Sequence, residues 1–416
     1  MQDKLRSTEA AKSGAVGRRD ALRLLAGGGL AASLVSLTSL PAWAQTARNI
    51  DPAKLLFLEG EDQVYAFGNI DKLYPTRAFT RGASVFALPK ANSELDIKFD
   101  HEGRSWTTAE FMTHNRVAGL VVVRDGRIIL ERYGLGQNAA TKWTSFSVAK
   151  SLTSSLVGAA IKDKHIKSVL EPVTTYLPVL KGTAFDGAII RDLLRMSGPE
   201  AWVEDYLQPD SDVNQHLAII ASRNKKGAML EHMTRLKRVR GSGTINEYRT
   251  GESYILGEIV AAAIGSPLSP YVTEKIWKPF GMEADGYWML TGEGGTEWGG
   301  GCFSATSRDY ARFGQFILGG GVAGGRQILP DGWVAEATEA SAPSGPEGRK
   351  TAYGYQWWIT EPGRAFRAVG VFGQQVQIVP HQKLVISIQS AWPKPGVPVN
   401  GALATAFVNA IRNAVA

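Results

Sequence analysis

The chain has 416 residues, of which 44% are hydrophobic and 20% charged, with a formal net charge of +7 and a single cysteine, Cys302. This is the composition of a globular protein with one large core or two domains. One cysteine excludes intrachain disulfides, and the basic excess is accompanied by no nucleic-acid-binding motif, so we expect no nucleic-acid partner.

Residues 1–44 differ from the rest of the chain. Arg18 and Arg19 precede a weakly apolar run rich in glycine and alanine, and the run ends with the small-residue pattern Ala42-Trp43-Ala44. Together these features indicate a twin-arginine signal peptide that is cleaved after Ala44. A membrane anchor is the alternative, but the run is interrupted by glycines and is short for a membrane span.

Cleavage at this site would leave a mildly basic mature chain. It removes six of the 46 basic residues and three of the 39 acidic residues, which leaves a net charge of +4. The remaining basic patch, "RNKKG" and "RLKRVR", is interpreted as solvated surface, and the alternative is a patch that attracts an anionic substrate. We expect a periplasmic protein, exported by the twin-arginine translocase, with no stable membrane anchor after cleavage.

The first clear strand pattern is "GLVVVRDGRIILERYG", residues 119–134. Two runs rich in β-branched residues flank Asp125-Gly126, a pair that favours the positive φ angles of a hairpin turn. Helical patterns follow in the middle of the chain. They include "AIIRDLLRMSG", then "TGESYILGEIVAAAIG" with a glycine stop, and "TSRDYARFGQFILGGG", which opens with the capping pattern Thr306-x-x-Asp309.

The C-terminal part again predicts strands. "FRAVGVFGQQVQIVPHQKLVISIQSAW" (366–392) predicts three of them, and "NGALATAFVNAIRNAVA" predicts a terminal helix. Because strands come from both ends of the chain, we predict an α+β fold in which an antiparallel sheet is flanked by helices. The sheet domain would comprise residues 45–150 and 295–416, and residues 151–294 would form a mainly helical domain. An active site would lie at the seam between them.

One segment, "WTSFSVAKSLTSSLVGAA" (143–160), combines a nucleophilic residue type with a candidate base. Ser147 and Lys150 are three residues apart at the start of an apolar helix, so they share one helix face. Burial of the ammonium would lower the pKa of Lys150 and allow it to act as a base. Free N–H groups at the helix N-terminus could also stabilise an oxyanion. The alternative interpretation of Ser147 is a helix cap.

A second Ser-x-x-Lys match, Ser222 to Lys225, shows that the spacing alone is a weak signal. Its charged neighbours would keep Lys225 solvated and protonated, whereas Ser147 precedes an apolar stripe that would bury its helix. The sequence has no Gly-x-Ser-x-Gly motif, and its six histidines lie in no recognisable triad pattern. It has no metal-ligand spacing either, so we expect no metal and no organic cofactor.

From "YPTRAFTRGASVFALPK" to its C-terminus, the chain resembles the β-lactamase-like serine hydrolases, which have a penicillin-recognising fold. It is most similar to 6-aminohexanoate-dimer hydrolases and related carboxylesterases. The motifs are "SFSVAKS", "NEYRTGESYILG" and "RAVGVFGQQVQIVP". The resemblance implies that Ser147 is the nucleophile, Lys150 its partner and Tyr248 a second acid/base residue. It also implies an oxyanion hole formed by the backbone N–H groups of Ser147 and Val371.

The chain departs from the family pattern in two places. Ala368 replaces the lysine that binds the substrate carboxylate in true β-lactamases, and Thr250 replaces the usual asparagine of Tyr-x-Asn. Nylon-oligomer hydrolases also have an apolar version of the Ala368 strand, followed by Gly-Gln as in Gly373-Gln374. The resemblance therefore implies substrate contacts at Gly370, Gly373 and Gln374.

A further segment, "PEAWVEDYLQPDSD" (199–212), resembles the loop that covers the substrate in nylon-oligomer hydrolases. It would bring Tyr206 to the substrate amide; the alternative role of Tyr206 is packing.

We expect an acyl-enzyme mechanism that cleaves small amides or esters, with the choice between Lys150 and Tyr248 as base left open. Two alternatives are a β-lactamase or D-amino-acid peptidase, which Ala368 disfavours, and a non-catalytic ligand-binding module, which the intact motifs disfavour.

Overall fold

The computed structural model describes residues 49–223 and 226–416. The predicted signal peptide, residues 1–44, and Lys225 of the second Ser-x-x-Lys match lie outside the described residues. The described residues all belong to one compact unit. The division of this unit into a sheet domain and a helical domain stays a prediction.

The described chain begins with mixed helices and strands, continues with the consecutive helices of its middle part, and ends with strands and a terminal helix of 17 residues. The helices are α1 Gly60–Gly68, α2 Ile70–Leu73, α3 Thr108–His114, α4 Val148–Lys162, α5 Val173–Tyr176, α6 Ile190–Leu194, α7 Asp212–Ala221, α8 Ala228–Arg235, α9 Thr250–Ile264, α10 Leu268–Val272, α11 Lys278–Phe280, α12 Ser307–Leu318, α13 Trp333–Ala337 and α14 Pro398–Ala414. The strands are β1 Thr76–Phe79, β2 Lys98–His101, β3 Arg104–Thr107, β4 Val117–Arg124, β5 Arg127–Tyr133, β6 Trp143–Thr144, β7 Gly286–Met289, β8 Phe303–Ala305, β9 Val322–Ala323, β10 Arg326–Gln327, β11 Trp358–Glu361, β12 Ala365–Gly370, β13 Gln374–Val379 and β14 Leu384–Ser390.

The central element is a six-stranded antiparallel sheet in the order β11-β12-β13-β14-β4-β5. Strands from the C-terminal part therefore pair directly with the early hairpin, since β14 lies beside β4. The hairpin turn at Asp125 and Gly126 has the expected positive φ angles of 47° and 71°. The predicted α+β class and the sheet built from both chain ends are confirmed.

Both faces of this sheet are covered, and its inner strands β4 and β14 are buried over almost their whole length. Along β4, Val121 and Val123 belong to the core on the α12 side, whereas Leu120 and Val122 belong to a second core with α3 and α14. The period of two along a strand sends alternate side chains into different cores. The predicted cap of α12 also forms, because the Thr306 hydroxyl accepts a hydrogen bond from the Asp309 backbone N–H at 3.1 Å.

A smaller antiparallel sheet, β1-β7-β8-β6, adjoins the helices that bear the candidate site. Helix α4 follows β6 and is buried over residues 148–160, so it is surrounded by protein on every face. It packs against α9, which ends at Gly265 with φ +66°, the predicted glycine stop. The helix predicted at "AIIRDLLRMSG" forms only as the short α6, because the chain reverses at Met196 with φ +51°.

Length and apolar composition do not allow any single described helix to cross a membrane. One bent pair of segments, Thr250–Ile264 and Leu268–Phe280, meets the same criteria jointly, with an angle of 76° between them.

Candidate active site

Ser147 lies at the N-terminus of the buried helix α4, but its hydroxyl does not cap the helix. The residue is the N-cap by position, with φ −69° and ψ −6°, yet its side chain makes no capping hydrogen bond. Instead, Lys150 Nζ donates a hydrogen bond to Ser147 Oγ at 3.0 Å. The preceding residue, Phe146, has φ +44°, an unusual backbone conformation for an aromatic residue, and its ring packs against Phe67 and Phe372.

The Lys150 ammonium group is almost completely enclosed, since the residue is only 1% exposed. Besides Ser147 Oγ, it donates hydrogen bonds to Thr250 Oγ1 at 3.0 Å and to the Gly300 carbonyl at 2.5 Å. Burial lowers the pKa of Lys150 to about 8, against an opposing effect from the negative charge of Glu204. A substantial fraction of the amine is therefore neutral at mildly alkaline pH.

Gly300 approaches Lys150 so closely because it has no side chain. A Cβ at this position would lie 2.7 Å from Thr250 Cγ2 and 3.0 Å from the Thr250 carbonyl oxygen. The "GGG" run at 299–301 thus allows the backbone to pass between α4 and α9 and to present a carbonyl to the ammonium.

Tyr248 lies immediately before α9 and faces both Ser147 and Lys150. Its hydroxyl lies near the Ser147 side chain, and Lys150 Nζ lies 5.2 Å from the centre of its ring. Burial raises the pKa of Tyr248 well above its ordinary value, so the phenol keeps its proton at neutral pH. The ring stacks on Trp358 with centroids 5.6 Å apart, which orients the hydroxyl.

The backbone of this segment is anchored by a buried charge network. Arg249, only 2% exposed, pairs with the Glu247 carboxylate at 2.6 Å and donates to the carbonyls of Gly198 and Glu200. Because Arg249 lies between Tyr248 and Thr250, its contacts hold both neighbours in place.

Thr250 connects Lys150 to a carboxylate that the sequence motifs did not single out. Its hydroxyl accepts from Lys150 Nζ and donates to Glu204 Oε1 in a short hydrogen bond, while its backbone N–H donates to Glu204 Oε2 at 2.8 Å. A carboxylate at this position also complements the positive end of the α9 dipole. Glu204 therefore orients the Thr250 hydroxyl and places a negative charge near the Lys150 amine.

The two predicted oxyanion donors are close together. Gly370, the residue before Val371, lies very close to the start of α4. A Cβ at Gly370 would be 3.1 Å from the Ser147 backbone nitrogen and 2.3 Å from the Ser145 carbonyl oxygen. Within the described residues, neither the Ser147 nor the Val371 backbone N–H donates to another protein group. Both are consequently available to a bound oxyanion.

A cavity of about 600 Å³ opens at Ser147. Seven of the eight predicted site residues line it, and the eighth, Lys150, lies behind Ser147. The seven are Ser147, Tyr206, Tyr248, Gly370, Val371, Gly373 and Gln374. Residues separated by more than 200 positions in sequence thus meet around one hydroxyl group.

Tyr206 reaches the cavity from an irregular loop, as the similarity of residues 199–212 to a substrate-covering loop suggested. Its hydroxyl donates to Glu204 Oε1 at 2.8 Å. Asn214, in α7, holds the loop in shape by donating to the carbonyls of Asp205, Tyr206 and Gln208 at 2.9–3.3 Å. Asn214 and Glu204 could have been noticed only as polar residues close to Tyr206 in sequence, since no motif marks them.

Gln374 uses its side-chain amide for scaffold contacts. The amide nitrogen donates to the carbonyls of Val371, Phe372 and Ser390, and the amide oxygen accepts from Trp143 Nε1 at 3.1 Å. It thereby holds the 371–373 turn that presents the Val371 N–H. Gly373 has φ +88° and lies against the Trp392 ring, 2.4 Å from where a Cβ would be. Substrate contacts at both residues stay predictions.

The second Ser-x-x-Lys serine has a different environment. Ser222 is exposed at the C-terminus of α7, and its hydroxyl donates to the Ile219 carbonyl at 2.8 Å. Within residues 49–223 and 226–416, there is also no group of three or more His, Cys, Asp or Glu side chains that could hold a metal ion.

A family model described as Beta-lactamase matches residues 107–408, a span that contains every residue of the candidate site. The chain belongs to the β-lactamase family. The resemblance recognised from its motifs is confirmed, and the antiparallel sheet with its flanking helices is the fold of this family.

Individual relatives are consistent with this assignment. The 6-aminohexanoate-dimer hydrolase of Paenarthrobacter ureafaciens is 28% identical over 346 residues, which cover 80% of this chain and 86% of that protein. A solved structure described as a candidate 6-aminohexanoate-dimer hydrolase from Bacillus anthracis aligns with a TM-score of 0.74 at 25% identity, covering 84% of this chain and 93% of that one. The crystal structure of a family VIII carboxylesterase shares the fold, with a TM-score of 0.54 at 17% identity over 73% of this chain and 95% of that one.

This family member is a hydrolase of the β-lactamase fold, of the serine acyl-enzyme type, and is related to 6-aminohexanoate-dimer hydrolase.

Proposed function

We propose that the chain is a serine amidase or carboxylesterase that cleaves small linear amides or esters through an acyl-enzyme at Ser147. The observation that best supports this is the hydrogen bond from the buried Lys150 amine to the Ser147 hydroxyl, at the mouth of a cavity of about 600 Å³. A serine hydroxyl that is hydrogen-bonded to an amine with a lowered pKa has an adjacent base that can activate it as a nucleophile.

Acylation begins when Ser147 Oγ attacks the substrate carbonyl carbon and its proton passes to neutral Lys150. The negative charge that develops on the carbonyl oxygen is stabilised by the backbone N–H groups of Ser147 and Val371. As the intermediate collapses, the bond to the leaving amine or alcohol breaks and the leaving group takes a proton from Tyr248. In deacylation, the Tyr248 phenolate takes a proton from a water molecule as that water attacks the ester of Ser147, and protonated Lys150 returns its proton to Ser147 Oγ as the bond to the acyl group breaks. The acid is released, and Ser147, Lys150 and Tyr248 regain their starting protonation states.

The two basic groups differ in a way that assigns their roles. The pKa of Lys150 falls to about 8, so the neutral amine is available to accept a proton. The pKa of Tyr248 is raised by burial, so its phenol is a proton donor near neutral pH. We therefore infer that Lys150 is the base in acylation and that Tyr248 protonates the leaving group.

The substrate class follows from the strand that borders the cavity. Ala368 is fully buried among apolar residues on the opposite side of β12 from the cavity-lining Val369, so the position offers no charge to a β-lactam carboxylate. The related Paenarthrobacter protein is named for a linear amide, the 6-aminohexanoate dimer. Linear amides and short esters are accordingly preferred over β-lactams.

Covalent labelling and a substrate panel test this proposal together. A fluorophosphonate should label the wild-type protein at Ser147, and Ser147→Ala should abolish both labelling and turnover, whereas Ser222→Ala should leave both unchanged. We expect kcat/KM for p-nitrophenyl butyrate to exceed that for nitrocefin by at least about tenfold. Labelling at Ser222 would contradict the nucleophile assignment, and equal or reversed rates would favour a β-lactamase or a peptidase.

We further propose that the protein functions in the periplasm after export by the twin-arginine translocase. The support is the Arg18-Arg19 pair, the following apolar run and the Ala42-Trp43-Ala44 pattern. A protein with one buried cysteine needs no disulfide formation after export, which is compatible with transport in the folded state.

A further inference from the structure

Arg367 is a cationic side chain in the wall of the Ser147 cavity. It lies on β12, directly opposite Trp358 of β11, and opposite residues of an antiparallel pair project from the same sheet face. Trp358 in turn stacks on Tyr248. The Trp358 ring therefore lies between the Arg367 guanidinium and Tyr248, and Arg367 lines a part of the cavity that is farther from Ser147 than Tyr248 is.

The Arg367 guanidinium has no acidic partner within the described chain. Its Nε is buried and makes no hydrogen bond to the described residues, and the hydrogen bond that its side chain does make to them is a long one, 3.4 Å from Nη1 to the Gln375 amide oxygen. Desolvation alone lowers the pKa of Arg367, with no neighbouring carboxylate to compensate. Arg308 and Arg312 show the paired arrangement, with Arg308 2.6 Å from Glu131 and Arg312 3.1 Å from Asp309.

An unpaired and largely desolvated guanidinium is costly for folding, because charged groups are normally buried only when they are paired. Removal of such a group is ordinarily neutral or stabilising, so its presence beside a reaction centre points to a ligand that supplies the missing anion. A guanidinium matches the geometry of a carboxylate, which it can bind through two parallel hydrogen bonds.

The position of Arg367 indicates where on the substrate that carboxylate lies. Arg367 is three residues before Gly370, so at about 3.3 Å per residue its backbone is about 10 Å from the oxyanion end of the strand. It also projects from the opposite sheet face to Ala368, so it does not replace the lysine of the β-lactamases. A carboxylate next to the scissile bond would not reach it, whereas one at the end of a linear chain would.

We propose that Arg367 binds the terminal carboxylate of a linear substrate whose amide or ester bond is attacked by Ser147. This inference rests on the proposed function, which it narrows from small amides and esters to those with an anionic end. Arg367 is then the residue that determines charge specificity, and Trp358 flanks the chain between the carboxylate and the reacting carbonyl.

Binding can be measured without turnover in a Ser147→Ala background. We expect calorimetry to show that 6-acetamidohexanoate binds at least about tenfold more tightly than N-hexylacetamide, a neutral amide of similar length. Adding Arg367→Gln should remove this preference. Adding Arg364→Gln, on the exposed β11–β12 turn, should retain it. Equal binding of the two amides, or no measurable binding of the carboxylate, would overturn the proposal.

Turnover separates this inference from the proposed function. For Arg367→Gln, the ratio of kcat/KM for 6-acetoxyhexanoate, which carries its carboxylate in the leaving group as 6-acetamidohexanoate does, to that for hexyl acetate should fall by at least about tenfold, with the neutral ester little affected. Hydrolysis of both esters with an unchanged ratio would refute carboxylate binding and leave the hydrolase intact. If neither ester is cleaved by the wild type, the proposed function fails, and the binding measurement still decides the role of Arg367.

Discussion

The pH dependence of acylation should report the burial of Lys150. The pKa of its amine falls from 10.5 to about 8, and at about 1.4 kcal/mol per unit this is about 3 kcal/mol in favour of the neutral form. At pH 7 roughly one amine in ten is then neutral, compared with roughly one in three thousand for a solvated lysine. Because the side chain is only 1% exposed, solvent does not screen this effect.

The rate of Ser147 labelling by a fluorophosphonate, measured from pH 5.5 to 10, gives this pKa directly. We expect the second-order rate constant to rise about tenfold per pH unit at low pH and to level off above about pH 8. A labelling rate constant that continues to rise up to pH 10 would refute the assignment of Lys150 as a base with a lowered pKa.

Replacing Glu204 tests the electrostatic part of the same reasoning. Its negative charge raises the pKa of Lys150, so Glu204→Gln should lower that pKa. The acidic limb, the part of the pH–rate profile that rises with pH, should then shift to lower pH. The exposed Glu231, which pairs with Arg235 on α8, provides the control, since Glu231→Gln should leave the limb in place. A folded Glu204→Gln protein with an unshifted limb would contradict the inferred coupling, whereas a lower plateau alone would indicate only lost positioning of Thr250.

Three further outcomes are expected. The folded pKa of Lys150 is lower than its unfolded value, so its cost to stability is fully present below pH 8 and disappears as the pH rises to 10.5. At pH 7, Lys150→Met should therefore have a higher free energy of unfolding than the wild type, relative to the difference between them at pH 10.5. Denaturant titrations should show that this difference decreases by up to about 3 kcal/mol between pH 7 and 10.5; a constant difference would contradict this. Gly300→Ala should cost about 1–3 kcal/mol and at least about tenfold in kcat/KM, because its Cβ would displace Thr250; unchanged kinetics and melting would argue against this contact. Substitution of Arg18 and Arg19 by lysine should leave unprocessed precursor in the cytoplasm, as followed by fractionation; normal processing in a strain without the twin-arginine translocase would exclude that route.

Local patterns in the sequence were sufficient for the regular elements. The hairpin at Asp125-Gly126, the capped helix α12, the glycine-terminated helix α9 and the C-terminal strands all formed as predicted. These elements depend on periodicity, turn residues and caps, which involve neighbours only a few residues apart. The same locality explains why α6 was predicted too long, since its end is decided by the positive φ at Met196.

Motif resemblance is sufficient to predict Ser147, Lys150 and Tyr248 as members of one site. Sequence alone could not show that the Lys150 amine is enclosed by Thr250 and Gly300, because those contacts join residues 100 and 150 positions apart. The depressed pKa of Lys150 is a property of that enclosure.

Tertiary structure alone also revealed Glu204 and Arg367. Each is an ordinary charged residue in sequence, where charge is usually solvated. Folding places the Glu204 carboxylate against the Thr250 hydroxyl, and it leaves the Arg367 guanidinium in the cavity wall without an ion pair to any described residue. Sequence thus determined much of the secondary structure and the family, and it predicted the candidate reacting groups. Packing between distant segments decided which charges are compensated, because desolvation and pairing depend on three-dimensional neighbours.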